Sequence, residues 1–134
     1  MRFLAKANHS QLEVKVRSAD GSSIRAELLR NDQDWPKKVK KVYGDLMTDL
    51  NLKPEDVKLL AGEVVNADQQ GQKAAFNEIL KNLPQTLPNS YIVSSAGLPC
   101  NPDHLHFTAD GQREFGKRYA EKLLSALGNK VEKN

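Results

Sequence analysis

Val57-Lys58-Leu59-Leu60-Ala61-Gly62-Glu63-Val64-Val65 decides the architecture. Apolar residues dominate this run without the alternation of a half-wet strand, the pattern of a strand covered by helices on both faces, and such strands belong to parallel sheets. Upstream, Asp34 caps a helix with Pro36 in its first turn. Val39, Val42, Tyr43, Leu46, Met47 and Leu50 then recur at spacings of three and four, forming one apolar stripe with lysines opposite. Asn51-Leu52-Lys53-Pro54 separates that helix from the strand. Downstream, Gln70 to Leu83 reads as a second helix through Ala75, Phe76, Ile79, Leu80 and Leu83, ended by Pro84. Tyr91-Ile92-Val93 is a short buried strand. Thr108 to Leu127 closes the pattern as a helix with Phe115, Tyr119, Leu123 and Leu127 facing inward. Helix, strand, helix, strand, helix predicts a reduced three-layer α/β/α sandwich.

Ligands of such sheets bind beyond the C-terminal ends of the strands. Glu63, Asn66 and Asp68 follow one strand and Ser95 to His106 follow the next, so the topology predicts that the two loops meet on a single edge. The first third reads differently. Leu12, Val14 and Val16 alternate with Glu13, Lys15 and Arg17; Ser18-Ala19-Asp20-Gly21-Ser22 offers a turn; and Ile24, Ala26 and Leu28 alternate again. Gln11 to Arg30 is therefore predicted to form a β-hairpin. The chain is expected to be one domain over 1–134, with a divergent part at 1–33 and a regular α/β part at 34–127.

With 134 residues, 39% hydrophobic and 28% charged, the chain can build a single core and is not a disordered tail. A net charge of +3 spread along the sequence, without aromatic interleaving, argues against nucleic acid as a partner. Lys37-Lys38-Val39-Lys40-Lys41 reads as the solvated face of a helix. A single cysteine, Cys100, excludes an internal disulfide and disfavours a zinc cluster. No run of about 18 apolar residues signals a membrane span. Met1 to Ser10 lacks the apolar run of a signal peptide, so the chain as given is expected in the cytoplasm, or outside the cell if a preceding segment carries an export signal.

The chemistry concentrates in Asp103-His104-Leu105-His106-Phe107-Thr108. A histidine can take a proton from a serine hydroxyl only if its other ring nitrogen is held in the correct tautomer, and a nearby aspartate does this. Pro99 and Pro102 stiffen the preceding loop and Thr108 is available as an N-cap, so Asp103 to His106 should form a rigid turn.

These residues sit within a wider likeness. Trp35-Pro36-Lys37-Lys38-Val39, Leu59-Leu60-Ala61-Gly62-Glu63-Val64-Val65, Ser94-Ser95-Ala96-Gly97 and the run from Asp103 through His106-Phe107-Thr108-Ala109-Asp110-Gly111-Gln112-Arg113-Glu114-Phe115 to Tyr119 carry it. On them the chain resembles the C-terminal half of an SGNH-type carbohydrate esterase, of the family six acetylxylan esterases and sialate O-acetylesterase-like domains. The likeness runs from Trp35 to about Leu124. It implies an SGNH/flavodoxin-like fold, a Ser-His-Asp mechanism with Asp103 as acid and His106 as base, no metal or organic cofactor, and an acetylated carbohydrate or small acetyl ester as substrate. His104 occupies a variable position of the motif.

The family's Gly-Gln-Ser-Asn nucleophile stretch does not occur in this sequence. Its nearest echo, Phe3 to Glu13, nominates Ser10. The early strands of the family are parallel, unlike the hairpin read here, so the first third is either a local fold of its own or a compressed remnant. Asn31 stands where the family's oxyanion asparagine would, whereas the oxyanion glycine has no counterpart. Losing one oxyanion donor costs about a hundred- to a thousandfold in turnover, so low activity is expected. Glu63, Asn66 and Asn31 are the expected substrate-binding residues. The alternative is a catalytically incomplete half-domain that binds carbohydrate or pairs with another chain, because an exposed parallel strand edge favours homo-oligomers.

Overall fold

A computed structural model describes residues 4–7, 10–13 and 32–128 of the chain. The elements are β1 (Leu4–Ala7), β2 (Ser10–Glu13), α1 (Trp35–Asp49), β3 (Leu59–Gly62), α2 (Phe76–Lys81), α3 (Leu83–Thr86), β4 (Ser90–Val93) and α4 (Ala109–Ala126). The fold is mixed α/β. β3 and β4 pair in parallel, Leu59 against Ser90 through Gly62 against Val93. β1 and β2 form a separate antiparallel pair, Leu4 against Glu13 through Ala7 against Ser10. A hairpin thus exists, but Gln11 to Glu13 pair with the segment before them. The second strand expected over Ile24 to Leu28, and Asn31, lie outside the described residues.

Side chains of β3 and β4 alternate between two clusters, as a pleated strand demands. Leu59, Ala61 and Ile92 pack toward Tyr43 and Met47 of α1 and toward Leu83 and Leu87. Leu60 and Val93 pack toward Leu98 and the α4 rings Phe115 and Tyr119. Helices therefore cover both faces of the described sheet. That is the cause of the unbroken apolar run.

The nine-residue strand expected over Val57 to Val65 pairs for only four residues, because Asn77 takes over where β4 ends. Its side chain accepts from the Val64 N–H at 2.9 Å and donates to the Val64 carbonyl at 3.2 Å. One amide side chain thus satisfies both backbone groups that a further strand residue would have met. Gly62 is dictated from the other face. A Cβ there would overlap the Tyr119 hydroxyl and come within 2.6 Å of Phe115 Cζ. Gly62→Ala is expected to destabilise the fold by about 1–3 kcal/mol through overpacking, read as a lower denaturant midpoint with an unchanged slope.

The helices are shorter or set differently than their periodicity suggests. Tyr43 and Met47 are buried, but Val42, at 62% exposure, lies with Leu46 and Leu50 on the adjoining row. Successive residues turn by about 100°, and the two parallel strands among the described residues do not cover both rows. Asn51 ends α1 in the left-handed region at φ 50°, and the Leu52 N–H reaches the Met47 carbonyl at 2.9 Å, a Schellman closure. The expected Gln70 to Leu83 helix begins only at Phe76, because Gln70 is itself left-handed at φ 57°. Pro84 opens α3 instead of only ending its predecessor, since a first-turn residue needs no N–H partner. Leu127 is 37% exposed, contrary to the inward reading. An 18-residue helix is about 27 Å long and a four-residue strand about 13 Å, so α4 overhangs the sheet. No helix among the described residues is long and apolar enough to cross a membrane.

Candidate functional site

Beyond the C-terminal ends of β3 and β4, two loops are tied together by side chains. Glu63, 5% exposed, is the central tie. Its Oε2 accepts from the Ser95 N–H at 2.9 Å, the Ser94 hydroxyl at 3.1 Å and the Asn66 amide at 3.2 Å. Buried Ser95 donates its hydroxyl to the Val64 carbonyl at 2.6 Å, and Asp68 accepts from the Gly97 N–H at 2.6 Å. From the α4 side, Arg118 donates to the Ser94 and Ala96 carbonyls at 3.0 and 2.8 Å. The convergence expected from topology is present.

The second loop carries the acid and the imidazole. An antiparallel bridge between Cys100 and Phe107 closes its base, and the Asn101 N–H donates to the His106 carbonyl at 2.8 Å. Thr108 caps α4, accepting from the Gly111 N–H at 3.1 Å, and its own N–H donates to the Pro99 carbonyl at 3.1 Å. Phe107 stacks edge-on against Phe115 at 5.2 Å and anchors the loop to the core. At the tip, Asp103 Oδ1 accepts from the Leu105 and His106 N–H groups at 2.9 and 3.0 Å, while Oδ2 meets His106 Nδ1 at 2.7 Å. The side chains remain accessible, His106 at 61% and Asp103 at 46%.

This geometry sets the electrostatics. The hydrogen bond from the His106 backbone, then that from its ring, then that from the Leu105 backbone hold the Asp103 carboxyl well below the usual carboxylate range. A carboxylate depressed in the fold stabilises it above the ordinary aspartate pKa, and that contribution is lost as pH falls through the depressed value. The Leu105 and His106 amide resonances should therefore hold their folded positions through pH 5 and 4 and shift only in stronger acid. Movement near the ordinary aspartate pKa would show that the three hydrogen bonds do not persist in solution.

Among the described residues the His106 ring meets a carboxylate at Nδ1 and no partner at Nε2, the arrangement that orients an imidazole to accept a proton. Of the other residues nominated from sequence, Ser10 is the first residue of β2, with only its backbone described, and Asn31 lies outside the described residues. Sequence reasoning passed over Gln69, Gln72, Asn77 and Arg118. Asn66 to Gln72 is a polar run with a glycine directly after a strand, a loop signal that the helix assigned from Gln70 onward obscured.

No solved structure matches the chain. A family model described as carbohydrate esterase, sialic acid-specific acetylesterase, matches residues 24–125. That span holds both converging loops and the Asp103–His106 pair, and it starts ahead of the part read from sequence as regular α/β. The chain belongs to the carbohydrate esterase, sialic acid-specific acetylesterase family.

Proposed function

We propose that the chain acts in removing O-acetyl groups from carbohydrate esters, of acetylxylan or sialate type, by a Ser-His-Asp mechanism on an SGNH-like three-layer α/β/α fold. The observation that carries this reading is the 2.7 Å contact of Asp103 Oδ2 with His106 Nδ1 on an accessible ring. The serine oxygen forms a bond to the acetyl carbon as His106 Nε2 takes its proton. The bond from the acetyl carbon to the sugar oxygen breaks, and the sugar leaves with that proton. Water then repeats the sequence on the acetyl-enzyme and releases acetate. Ser10 is the proposed nucleophile. Asn31 is proposed to face the oxyanion, and Glu63 and Asn66 to shape the substrate side of the rim.

The test is brief exposure of the purified chain to a chromogenic acetyl ester, followed by peptide mass mapping of the acetyl group. Acetylation of Ser10 with release of chromophore supports the assignment. Acetylation at another serine overturns Ser10 while leaving the class of chemistry intact. Neither product nor adduct favours a second reading, in which the chain is a half-domain that completes itself by pairing. That reading is favoured by β3, which among the described residues pairs only with β4. An apolar groove of about 350 Å³, lined by Trp35, Val39, Leu59, Phe76 and Leu80 among others, lies at this strand. Mass measured in solution during the same assay separates a monomer from a self-paired assembly.

A further inference from the structure

The turn holding the acid and base is pinned by the loop that follows β3. After β3 the chain is locked step by step. Asn66 Oδ1 accepts from the Ala67 N–H at 2.7 Å, and the Gly71 N–H donates to the Asn66 carbonyl at 3.0 Å. A Cβ on Gly71 would overlap the Val65 carbonyl, so the backbone passes that point in close contact. Gln72 therefore leaves a fixed loop. Its backbone N–H donates to the His104 carbonyl at 3.0 Å, and its Nε2 donates to the Asp103 carbonyl at 2.8 Å. The turn is gripped a third time by the His104 ring, whose Nδ1 meets the Gln69 carbonyl at 2.9 Å. A carbonyl only accepts, so Nδ1 is the protonated nitrogen of His104. His104 adopts φ 51°, an unusual conformation for a residue other than glycine, and this anchoring holds it there.

We propose that Gln72 is a positioning residue for the Asp103–His106 pair: by holding the carbonyls of Asp103 and His104, it fixes the turn in which the Asp103 carboxylate orients the imidazole. The inference rests on reading that pair as the acid and base of the esterase. Gln72 is itself exposed and belongs to neither core cluster, so its side-chain bond acts on the geometry of the turn and not on the core. Displacement of a catalytic group by about 1 Å can cost a hundredfold in rate, so a modest loosening is measurable.

The experiment compares the full chain with its Gln72→Met form, similar in length but without a side-chain donor, and its Gln72→Arg form, which can still donate. Two readouts are taken: proton exchange at the His106 Nδ1–H by NMR, and the split between kcat and KM on a chromogenic acetyl ester. Gln72→Met is expected to speed exchange and lower kcat about tenfold with KM and thermal midpoint unchanged, whereas Gln72→Arg stays near the parent. Parent-like exchange in Gln72→Met overturns the proposal. A fall in thermal midpoint matching the loss of kcat overturns it too, because Gln72 would then be a stabilising residue only. The exchange readout needs no turnover, so a catalytically silent parent chain refutes the esterase reading separately and leaves the clamp to be judged by NMR.

Discussion

His106→Ala is expected to lower kcat for acetyl ester hydrolysis by about a thousandfold or more, with the circular dichroism spectrum and unfolding midpoint unchanged. The activity effect is large because the ring is the one imidazole whose Nδ1 is held by a carboxylate among the described residues. The stability effect is small because the side chain is mostly exposed and its removal leaves no cavity. Asp103→Asn separates orientation from fold. The asparagine oxygen can still accept from the Leu105 and His106 N–H groups, whereas its amide presents a donor to Nδ1 and selects the wrong tautomer. A loss in kcat of up to about ten-thousandfold is expected, partly recovered at high pH if hydroxide replaces the base. Steady-state kinetics on the three proteins checks this. Equal turnover in His106→Ala and the parent would refute the assignment of the base.

Glu63→Ala is expected to be the most damaging single change to stability at the site, by about 3 kcal/mol in denaturant unfolding. The carboxylate oxygen Oε2 serves three donors at once, one of them the N–H of Ser95, which is fully buried. Each group left without a partner costs about 1–3 kcal/mol, and the more exposed Ser94 and Asn66 recover part of their loss by bonding to water. Glu63→Gln, which keeps one accepting oxygen, should lose less than half as much. Were Glu63 purely a substrate contact, KM would rise and the unfolding curve would stay in place. That pattern would rule out its role as the tie between the loops.

Legibility in the sequence followed the number of residues behind each signal. The strand at Leu59–Gly62, the helix at Trp35–Asp49 and the helix at Ala109–Ala126 rest on many apolar positions in register and were readable. Their extents were not. The stop of β3 depends on Asn77, thirteen residues away from Val64, and the exposure of Val42 and Leu127 depends on the width and length of the sheet they meet. The turn at Asp103–His106 was legible because its carboxylate, its imidazole and its N-cap Thr108 are sequence neighbours whose geometry is local.

By itself, then, the sequence determined the period of each element, the parallel sheet implied by Val57 to Val65, and the short-range contact that orients His106. These are local properties, set by side chains within one turn or one strand of each other. Only the tertiary structure decided that Glu63 is a buried tie, that Gln72 grips the Asp103 and His104 carbonyls, and that Gly62 must be bare beneath Tyr119. Each of those links joins residues about thirty or more positions apart, and hydrophobic periodicity carries no information about which distant loops the sheet will bring within hydrogen-bond reach.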